Sequence, residues 1–264
     1  MSFEDKVVWV TGASSGIGKA LAIALSNENA KLIISSRNIE KLNEVKKSCK
    51  LPNNIKVLKI DLDDYIAMDK TVSKAISLFG KIDILINNGG ISQRSLAIDT
   101  GIEVDTRIFK TNYFGTVALT KALLPYFSAK KEGHFVVVTS VVGKIGTPLR
   151  SSYAASKHAL HGFFDSLRAE ISKDNIHVTL ICPGFVNTNV SINALTGDGS
   201  KQNTLDEATK NGLSPAYFAK QMLKAIKHKK HEKVIGGKLE KFAVYLKRFF
   251  PKMLTHLIRK ASVV

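Results

Sequence analysis

The stretch TGASSGIG, residues 11–18, decides the fold. It follows the short apolar run of residues 7–10 and precedes a stretch with helical spacing of apolar residues, so it predicts a strand, a tight turn and a helix. Gly12 permits the tight turn, Gly16 lets the backbone approach a pyrophosphate, and Gly18 lets the helix and the strand pack closely. Because a helix N-terminus attracts phosphate charge, the stretch predicts a dinucleotide-binding turn.

The rest of the chain continues the alternation of strand and helix. Five further runs of apolar and β-branched residues lie at 32–34, 57–60, 82–86, 135–138 and 178–181. Five candidate helices lie at 16–27, 39–49, 67–79, 106–126 and 154–171. Nearly continuous apolar runs are typical of strands buried on both faces. Repeated strand–helix–strand units with right-handed crossovers predict an α/β fold, a doubly wound parallel sheet (Rossmann fold) with three layers, α/β/α.

Length and composition suit one catalytic domain with a tail. The chain has 264 residues, and we expect a dinucleotide-binding domain over residues 1–237 and a basic amphipathic tail over residues 238–264. Two cysteines, Cys49 and Cys182, are too few for a disulfide framework. The N-terminus shows no signal-peptide pattern, and no stretch approaches the roughly 20 apolar residues of a membrane span. We therefore expect a cytoplasmic protein with reduced cysteines.

The end of the second predicted strand indicates which dinucleotide is bound. Enzymes that prefer NAD usually place Asp or Glu here to bind the ribose 2′-hydroxyl, but this chain has Ser36 and Arg37. The planar, permanently charged guanidinium of Arg37 suits a 2′-phosphate, and Ser36 adds a hydroxyl. We therefore expect NADP(H), although an arginine that only closes a loop on a basic protein would give the same pattern.

Two further strand ends carry candidate cofactor contacts. Asp61 ends the third strand and could accept a hydrogen bond from the adenine amino group, or could cap the following helix. After the fourth strand, Gly89 and Gly90 would let the backbone lie against the adenosine ribose, while Asn87 would tie neighbouring strands together. A plain loop is an equally good interpretation of these glycines taken alone.

A tyrosine and a lysine on one predicted helix are suited to proton transfer. Tyr153 and Lys157 are four residues apart, so they share a helix face. A free phenol titrates near pH ~10, and lowering that pKa by three units takes about 4 kcal/mol, part of which a nearby ammonium supplies. Ser140, at the end of the fifth strand, can hold a substrate oxygen. A Tyr/Lys pair considered alone is usually an ordinary surface pair.

Taken together, these segments resemble the short-chain dehydrogenase/reductase family in its single-domain form. The resemblance is carried by TGASSGIG, NNGG at 87–90, Ser140, YAASK at 153–157 and PGFVNT at 183–188, in the order and spacing of the family. It covers roughly residues 6–235, and the stretch 144–170 is also similar to the subgroup of the dehydrogenase/reductase member 7 proteins and 11β-hydroxysteroid dehydrogenase. One departure is Gly89-Gly90, where the family usually has Ala-Gly.

The resemblance implies an oxidoreductase that transfers hydride between NADP(H) and a small carbonyl or alcohol compound. Tyr153 would be the general acid/base, and Ser140 would hold the substrate oxygen. Lys157 would also bond the nicotinamide ribose, and Asn112 would hold a water that links Lys157 to solvent. The expected cofactor contacts are Gly12, Ser14, Ser15, Gly16, Ile17, Gly18, Ser36, Arg37, Asp61, Leu62, Asn88, Gly89, Tyr153, Lys157, Pro183, Gly184, Val186 and Thr188. No metal is expected.

The resemblance also implies a homodimer or homotetramer built on the helices that carry Asn112 and Tyr153. The polar stretch 191–212 predicts a mobile lid over the substrate. The alternative function is a catalytically silent NADP-binding, membrane-associated scaffold or regulatory protein. The complete set of Asn112, Ser140, Tyr153 and Lys157 argues against that alternative, because a scaffold has no need of all four.

The positive charge is concentrated in the C-terminal part of the chain. Lys and Arg number 39 against 22 Asp and Glu, a net charge of +17. Residues 238–264 carry apolar residues at helical spacing among basic ones, and Pro251 fits the first turn of a second helix. Such a stripe suits packing on its own domain, on a second subunit, or on the anionic inner face of a membrane. Nucleic acid is not expected as a partner, because no reading module is present.

Overall fold

The computed structural model describes residues 2–259, and its strands form one parallel sheet. The order across the sheet is β3-β2-β1-β4-β5-β6-β7, and every neighbouring pair is parallel. The strands are β1 (Val7–Thr11), β2 (Lys31–Ser36), β3 (Ile55–Lys59), β4 (Ile84–Asn87), β5 (Gly133–Val138), β6 (Ile176–Pro183) and β7 (Glu232–Ile235). The order reverses between β1 and β4, as expected for a doubly wound sheet.

Helices cover both faces of this sheet. They are α1 (Gly16–Asn27), α2 (Ile39–Lys47), α3 (Met68–Ser77), α4 (Ile102–Phe109), α5 (Gly115–Lys130), α6 (Ser151–Glu170), α7 (Glu207–Lys210), α8 (Pro215–Lys227), α9 (Lys238–Phe249) and α10 (Pro251–Ile258). Helices α1, α2 and α8 pack on one face, and α3, α5 and α6 pack on the other. The predicted three-layer Rossmann-type fold is confirmed.

Strand β1 shows why the sheet is buried on both sides. Val8 and Val10 lie in the core under α1 and α8, whereas Val7 and Trp9 lie in the core under α5 and α6. Successive side chains of a strand point to opposite faces, so a strand between two helix layers needs apolar residues at every position. Burying each large side chain contributes roughly 1.5–3 kcal/mol.

One predicted helix is divided in the structure. The sequence predicts a single helix over 106–126, but α4 begins at Ile102, α5 ends at Lys130, and a π-helical turn over Lys110–Phe114 joins them. Such turns insert an extra residue into a helix and often occur at functional sites. Apolar spacing does not reveal the insertion, because both flanking segments keep helical periodicity.

Three elements have no counterpart among the predicted ones: the single-turn helix α7, which lies in the stretch 191–212, strand β7 and helix α8. Strand β7 has only four residues and two of its side chains are exposed and charged, a composition that protects sheet edges but hides them from a search for apolar runs. Helix α8 buries Phe218 and Met222 under the sheet.

The C-terminal segment forms two helices that lie against the domain. Helix α9 ends at Phe249 and α10 begins at Pro251, which occupies the first turn, in agreement with the predicted break. Leu246 and Leu254 are buried against Val141 and Ile145, in the loop that follows β5. Packing on its own domain therefore accounts for one side of the tail. Within residues 2–259 no helix is long and apolar enough to cross a membrane, and Lys260 of the basic stripe lies outside the described residues.

Candidate active site

A cleft opens at the carboxyl ends of the strands. Ligands of open α/β sheets bind at this edge. The cleft is lined by residues from the first turn of α1, from the loops after β4, β5 and β6, and from α6, among them Ile17, Asn88, Ser140, Tyr153, Lys157 and Thr188. Residues up to 173 positions apart in sequence, Ile17 and Val190, therefore line one space.

The Gly-rich turn fits a dinucleotide because it has no room for side chains. Gly12 has a φ of 64°, a left-handed conformation that favours glycine. A Cβ on Gly12 would lie 2.7 Å from the Cα of Gly89, and a Cβ on Gly18 would lie 2.2 Å from the carbonyl oxygen of Gly12. The two loops therefore press backbone against backbone. The first turn of α1, whose Ile17 lines the cleft, offers a helix N-terminus to a pyrophosphate.

Hydrogen bonds fix the two loops to each other. The amide of Asn88 donates to the carbonyl oxygen of Thr11 at 2.9 Å, and the Thr11 hydroxyl accepts from the backbone N–H groups of Asn88 and Gly89, both at 3.0 Å. Asn87 has a different role from the predicted one, because its amide bonds Thr120 on α5 at 3.0 Å rather than a neighbouring strand.

The end of β2 leaves a guanidinium available beside the turn. Arg37 is exposed, and no residue of the described chain forms an ion pair with it. The Ser36 hydroxyl and the Asn38 backbone bond each other at 3.2 Å, and Asn38 caps α2 by accepting from the Lys41 N–H at 2.8 Å. The loop is thus held by its neighbours, while the charge of Arg37 remains free for a ligand.

The carboxylate after β3 closes a turn rather than capping a helix. Asp61 is exposed and accepts from the Asp63 N–H at 3.1 Å. Leu62 is buried, and its Cδ1 lies 2.7 Å from the position of a Cβ on Gly89. An alanine at position 89, the usual residue of the resembled family, would therefore require Leu62 to move.

The structure brings Ser140, Tyr153 and Lys157 together. The Ser140 hydroxyl hydrogen-bonds Tyr153 and also accepts from the Val142 N–H at 3.1 Å. The Lys157 ammonium lies 5.8 Å from the centre of the Tyr153 ring and donates to the carbonyl oxygen of Val138 at 3.0 Å. The end of β5 thus supplies both the serine and the carbonyl that fixes the lysine.

Burial disfavours the charged form of both titratable groups. It raises the pKa of Tyr153, although the hydrogen bond from Ser140 and the positive charges of Arg94 and Arg150 oppose this effect. It lowers the pKa of Lys157 from 10.5 to about 8. At pH 7 the pair is therefore a neutral phenol beside an ammonium, a state from which the phenol can donate a proton.

Asn112 connects the π-helical turn to the loop after β4 and to α6. Its side-chain oxygen accepts from the Ile91 N–H at 2.8 Å, and its amide donates to the Ile91 carbonyl at 3.0 Å and to the Ser156 hydroxyl at 3.1 Å. A Cβ on Gly90 would lie 3.0 Å from the Asn112 oxygen and 3.5 Å from the Lys157 nitrogen. Asn112 and Lys157 thus border the same space, and the water relay stays a prediction.

The segment after β6 lies between the Gly-rich turn and the tail. Pro183 ends β6, and Gly184 fits tightly, since its Cβ would lie 2.8 Å from a carboxylate oxygen of Glu240 on α9. Val186 is buried in the core, and Thr188 lies next to Gly16, whose Cβ would be 3.1 Å from the threonine methyl. The residues predicted to meet the cofactor from this side line the same cleft as the Gly-rich turn. Their contacts with a cofactor stay predictions, as do those of Ser14 and Ser15.

The polar stretch 191–212 is anchored more firmly than its composition suggests. Ser191, Leu195 and Asp206 are buried, and two buried arginines, Arg94 and Arg150, bind Asp206. Sequence reasoning missed these arginines and the buried Gln93, because the partners are separated by 56 or more positions and match no short motif.

One cluster of potential metal ligands lies next to the site. Within residues 2–259, only His161, Cys182 and Glu232 place donor atoms close enough to share an ion. The ammonium of Lys144 lies 2.6 Å from a Glu232 oxygen and already neutralises that carboxylate. The expectation of no metal stays a prediction. Cys49 and Cys182 are free and buried.

Comparison with known proteins agrees with this geometry. The family model described as short chain dehydrogenase matches residues 6–198, a range that contains every residue of the cleft named above. The chain belongs to the short-chain dehydrogenase/reductase family. The predicted family is therefore confirmed, and with it an oxidoreductase class whose members bind a nicotinamide cofactor.

Curated relatives extend over nearly the whole chain. "Dehydrogenase/reductase SDR family member 7B" of Bos taurus is 42% identical over 261 residues, covering 96% of this chain and 80% of the relative. "Dehydrogenase/reductase SDR family protein 7-like" of Anopheles gambiae is 44% identical over 263 residues, covering 97% of this chain and 83% of the relative. Both belong to the subgroup that residues 144–170 resemble.

Solved structures share the fold. A short-chain dehydrogenase from Streptomyces avermitilis has a TM-score of 0.84 at 26% identity, covering 97% of each chain. A family member from Burkholderia phymatum, in complex with NAD, has the same TM-score at 20% identity, covering 96% of each chain. An alcohol dehydrogenase from Thermococcus sibiricus, complexed with 5-hydroxy-NADP, has a TM-score of 0.75 at 21% identity, covering 89% of this chain and 97% of the other. Since one of these structures holds NAD and another an NADP derivative, the fold alone does not indicate which of the two cofactors is bound.

Proposed function

We propose that this family member is an NADP(H)-dependent enzyme that interconverts a carbonyl and an alcohol, with Tyr153 as its general acid/base. The observation that carries the proposal is the meeting of Ser140, Tyr153 and Lys157 in the cleft that also contains the Gly-rich turn. The silent scaffold is not favoured, since the four predicted catalytic side chains are all present and grouped. The bound nicotinamide would supply or accept the hydride.

The protein's own residues would handle the substrate oxygen and its proton. The hydroxyl of Ser140 holds the oxygen near Tyr153, and the phenol oxygen of Tyr153 gives its proton to that oxygen as negative charge develops. The Lys157 ammonium stabilises the phenolate that remains. Because burial raises the pKa of Tyr153, the phenol is protonated at pH 7 and ready for the reductive direction, whereas alcohol oxidation should accelerate as pH rises.

Replacing Tyr153 tests this role. Tyr153→Phe removes only the hydroxyl, so NADPH binding should persist while reduction of a panel of aldehydes, ketones and sterols falls by at least about 100-fold. Tyr217→Phe, at an exposed tyrosine on α8, is the matched control and should keep full activity. Equal turnover by wild type and Tyr153→Phe would remove the assignment.

The preference for NADP(H) is proposed from the exposed, unpaired Arg37. Its guanidinium can bind a 2′-phosphate by charge-assisted hydrogen bonds, each contributing about 1.5–3 kcal/mol. Arg37→Asp should therefore lower the ratio of NADPH to NADH affinity by roughly 10- to 100-fold, as measured by titration of nicotinamide fluorescence. Arg107→Asp, at an exposed arginine on α4, should leave the ratio unchanged; an unaltered ratio for Arg37→Asp would contradict the proposal.

The outer face of α9 and α10 is proposed to contact an anionic membrane surface from the cytoplasmic side. Large apolar side chains remain exposed there even though Leu246 and Leu254 are buried: Leu239, Phe242, Tyr245, Phe249, Phe250, Met253 and Leu257. Basic residues surround them, and among residues 2–259 no acidic side chain pairs with Lys241, Lys247, Arg248, Lys252 or Arg259. Each basic side chain near an anionic surface contributes about 1 kcal/mol.

Vesicle binding tests this surface. The full chain should co-sediment with phosphatidylcholine vesicles that contain phosphatidylserine, less at high salt, and little with phosphatidylcholine alone. Phe242→Ser/Phe249→Ser should reduce binding, and Ile66→Ser/Ile98→Ser, which removes two exposed side chains elsewhere, should not. Identical partitioning of both double variants would exclude the tail as the contact.

A homodimer or homotetramer is proposed to form on the helices that carry Asn112 and Tyr153. The exposed Phe114, immediately before α5, supplies an apolar side chain for such an interface, and the centre of its ring lies 5.7 Å from that of Tyr65. Light scattering should give an oligomeric mass for the wild type and a smaller mass for Phe114→Glu; a wild-type monomer would contradict the proposal.

A further inference from the structure

The helix that carries Tyr153 begins without a capping side chain of its own. Helix α6 starts at Ser151, and its first intrahelical hydrogen bond runs from the Ala154 N–H to the Arg150 carbonyl oxygen at 2.7 Å. The N–H groups of residues 151–153 therefore have no acceptor within the helix. Arg150 occupies the cap position, where Ser, Thr, Asp or Asn usually accepts from such groups, but an arginine side chain carries only donors.

A glutamine 60 positions before Tyr153 supplies the acceptor. The side-chain oxygen of Gln93, in the loop after β4, accepts from the Ser152 N–H at 3.0 Å and from the Tyr153 N–H at 3.3 Å. These are the second and third residues of α6, the two whose N–H groups a capping side chain normally binds. Gln93 is fully buried, and removing its oxygen would leave both N–H groups without their partner, which costs more than the bonds themselves contribute.

Hydroxyl groups fix the orientation of the Gln93 amide. Its nitrogen lies within 3.2 Å of three hydroxyl oxygens, which belong to Ser95, Thr100 and Ser151. A hydroxyl can accept from an amide N–H, whereas a backbone N–H can only donate, so the nitrogen belongs on the hydroxyl side and the oxygen on the helix side. The hydroxyls therefore hold the acceptor in the direction of α6.

The backbone around Gln93 is fixed as well. The Leu195 N–H donates to the Ser92 carbonyl oxygen, and the Leu195 carbonyl oxygen accepts from the Arg94 N–H, both at 2.8 Å. The residues on either side of Gln93 are thus paired with the stretch 191–212, so the cap is attached to a part of the chain outside the helix.

The place of Tyr153 within the helix makes this cap relevant to catalysis. Tyr153 lies in the first turn, and a helix opens most readily at its ends, where backbone groups lack internal partners. Lys157 lies one turn later, and its ammonium donates to the Val138 carbonyl oxygen at 3.0 Å. The Tyr153 N–H, by contrast, donates to Gln93. Loss of the cap should therefore displace the phenol and leave the lysine in place.

We propose that Gln93 is a positioning residue that caps α6 and thereby holds the Tyr153 phenol beside Ser140. The inference rests on the proposed role of Tyr153 as the acid/base. A displacement of about 1 Å at a reacting group can lower a rate by ~100-fold. The cap should therefore affect turnover much more than the affinity for the cofactor, most of whose proposed contacts lie outside α6.

Two substitutions of similar size separate the cap from the rest of the side chain. Gln93→Met and Gln93→Glu both remove the amide nitrogen that faces the three hydroxyls, but only the glutamate keeps oxygens that can accept from the helix. The hydroxyls can turn to donate to the carboxylate, and negative charge is favourable at a helix N-terminus.

Amide hydrogen exchange measures the cap without any substrate. Protein labelled with ¹⁵N-tyrosine has six labelled backbone amides, and the Tyr153 signal is the one that is absent from Tyr153→Phe. The Tyr153 amide should exchange at least about 10-fold faster in Gln93→Met than in the wild type, and close to the wild-type rate in Gln93→Glu.

Turnover of the carbonyl panel is measured on the same variants. In Gln93→Met, kcat should fall by about 10- to 100-fold while the affinity for NADPH changes little, and Gln93→Glu should recover most of the wild-type kcat. In the Tyr153→Phe background, Gln93→Met should cause no further loss of the residual rate, because the group that it positions is already absent. Gln221→Met, at a half-buried glutamine of α8 on the other face of the sheet, is the control and should change neither exchange nor turnover.

A merely structural role of Gln93 predicts different results. It would reduce the rate equally with and without the Tyr153 hydroxyl, and it would give no recovery in Gln93→Glu; either result would overturn the inference. Equal exchange of the Tyr153 amide in the wild type and Gln93→Met would overturn it too, as would faster exchange with an unchanged kcat.

A second variant serves if Gln93→Met does not fold. Gln93→Asn keeps the amide but withdraws the oxygen from the helix, so it should show faster exchange and slower turnover; wild-type values of both would contradict the inference. Full turnover by Tyr153→Phe would instead refute the proposed function, and the exchange rates would still show whether Gln93 caps α6.

Discussion

Replacing Lys157 by methionine should stabilise the cofactor-free protein at neutral pH. Lys157 is 4% exposed, and burial lowers its pKa from 10.5 to about 8. At ~1.4 kcal/mol per unit, keeping the ammonium charged inside the fold costs about 3 kcal/mol at pH 7. Methionine fills a similar volume but leaves the Val138 carbonyl without its donor, a loss of about 1 kcal/mol. The net gain of about 2 kcal/mol should raise Tm by about 4–8 °C.

The gain should fall as pH rises. Between pH 8 and 10.5 the unfolded chain holds the lysine proton more tightly than the folded chain does, so this group makes wild-type stability increase with pH through that window. By pH 10 Lys157 of the folded wild type is mostly neutral, so most of the cost of burying its charge is gone. The higher stability of Lys157→Met relative to the wild type should therefore largely disappear.

Thermal unfolding followed by circular dichroism at pH 7 and pH 10 measures both effects. Lys41→Met, at an exposed lysine on α2, is the control and should match the wild type at both pH values. The reasoning would be refuted by a Lys157→Met protein that melts below the wild type at pH 7, or by a difference in Tm that does not change with pH.

Three further substitutions probe other parts of the fold. Leu246→Ala should lower the free energy of unfolding by about 2–5 kcal/mol through the cavity left under the tail; an unchanged Tm would show that the tail does not stabilise the domain. Gly18→Ala should weaken nicotinamide cofactor binding at least about 10-fold, measured by fluorescence titration, because the new Cβ would overlap the Gly12 carbonyl; unaltered affinity would contradict the described turn. His134 is buried and its pKa is lowered to about 3 by burial, so wild-type stability should decline as pH falls below 6.5, and His134→Asn should show a smaller decline in acid unfolding; equal slopes would contradict this account.

The sheet could be predicted because its signals are local. A strand between two helix layers is apolar at every position, as Val7 to Val10 are. The glycines of residues 11–18 are required by a tight turn and by close backbone packing, and both requirements can be stated from the sequence alone. Likewise, the four-residue spacing of Tyr153 and Lys157 fixes their common face on any helix. A feature that one strand, one turn or one helix determines by itself can therefore be predicted from the sequence.

Features that depend on partners distant in sequence could not be predicted in this way. Asn87 pairs with Thr120 on α5, and Arg94 pairs with Asp206, 112 positions away. No periodicity specifies such pairs, because they depend on where loops meet in the folded chain. For the same reason the composition of 191–212 suggested mobility, since Asp206 considered in isolation is typical of a solvated acid.

The tail shows a third limit of prediction from sequence, because one pattern of apolar residues is compatible with two environments. A single apolar stripe suits burial or an outer contact equally well, and the structure divides it: Leu246 and Leu254 pack on Val141 and Ile145, whereas the aromatic residues between them point outward. The contact is also close to the site, because Val141 directly follows Ser140. A surface that binds the outer face of the tail therefore contacts helices whose inner face packs on Val141, the residue next to the proposed catalytic serine.

The energetic cost of the site supports its assignment to chemistry. A buried ammonium at Lys157 reduces stability relative to an apolar side chain of similar volume. A protein selected only as a scaffold would gain stability by replacing it, since single substitutions of this kind are accessible. The cost lies beside Tyr153, where the ammonium supplies positive charge at the place where a phenolate would form. The expected stabilisation by Lys157→Met therefore measures the free energy that the fold spends on keeping a charge beside that phenol.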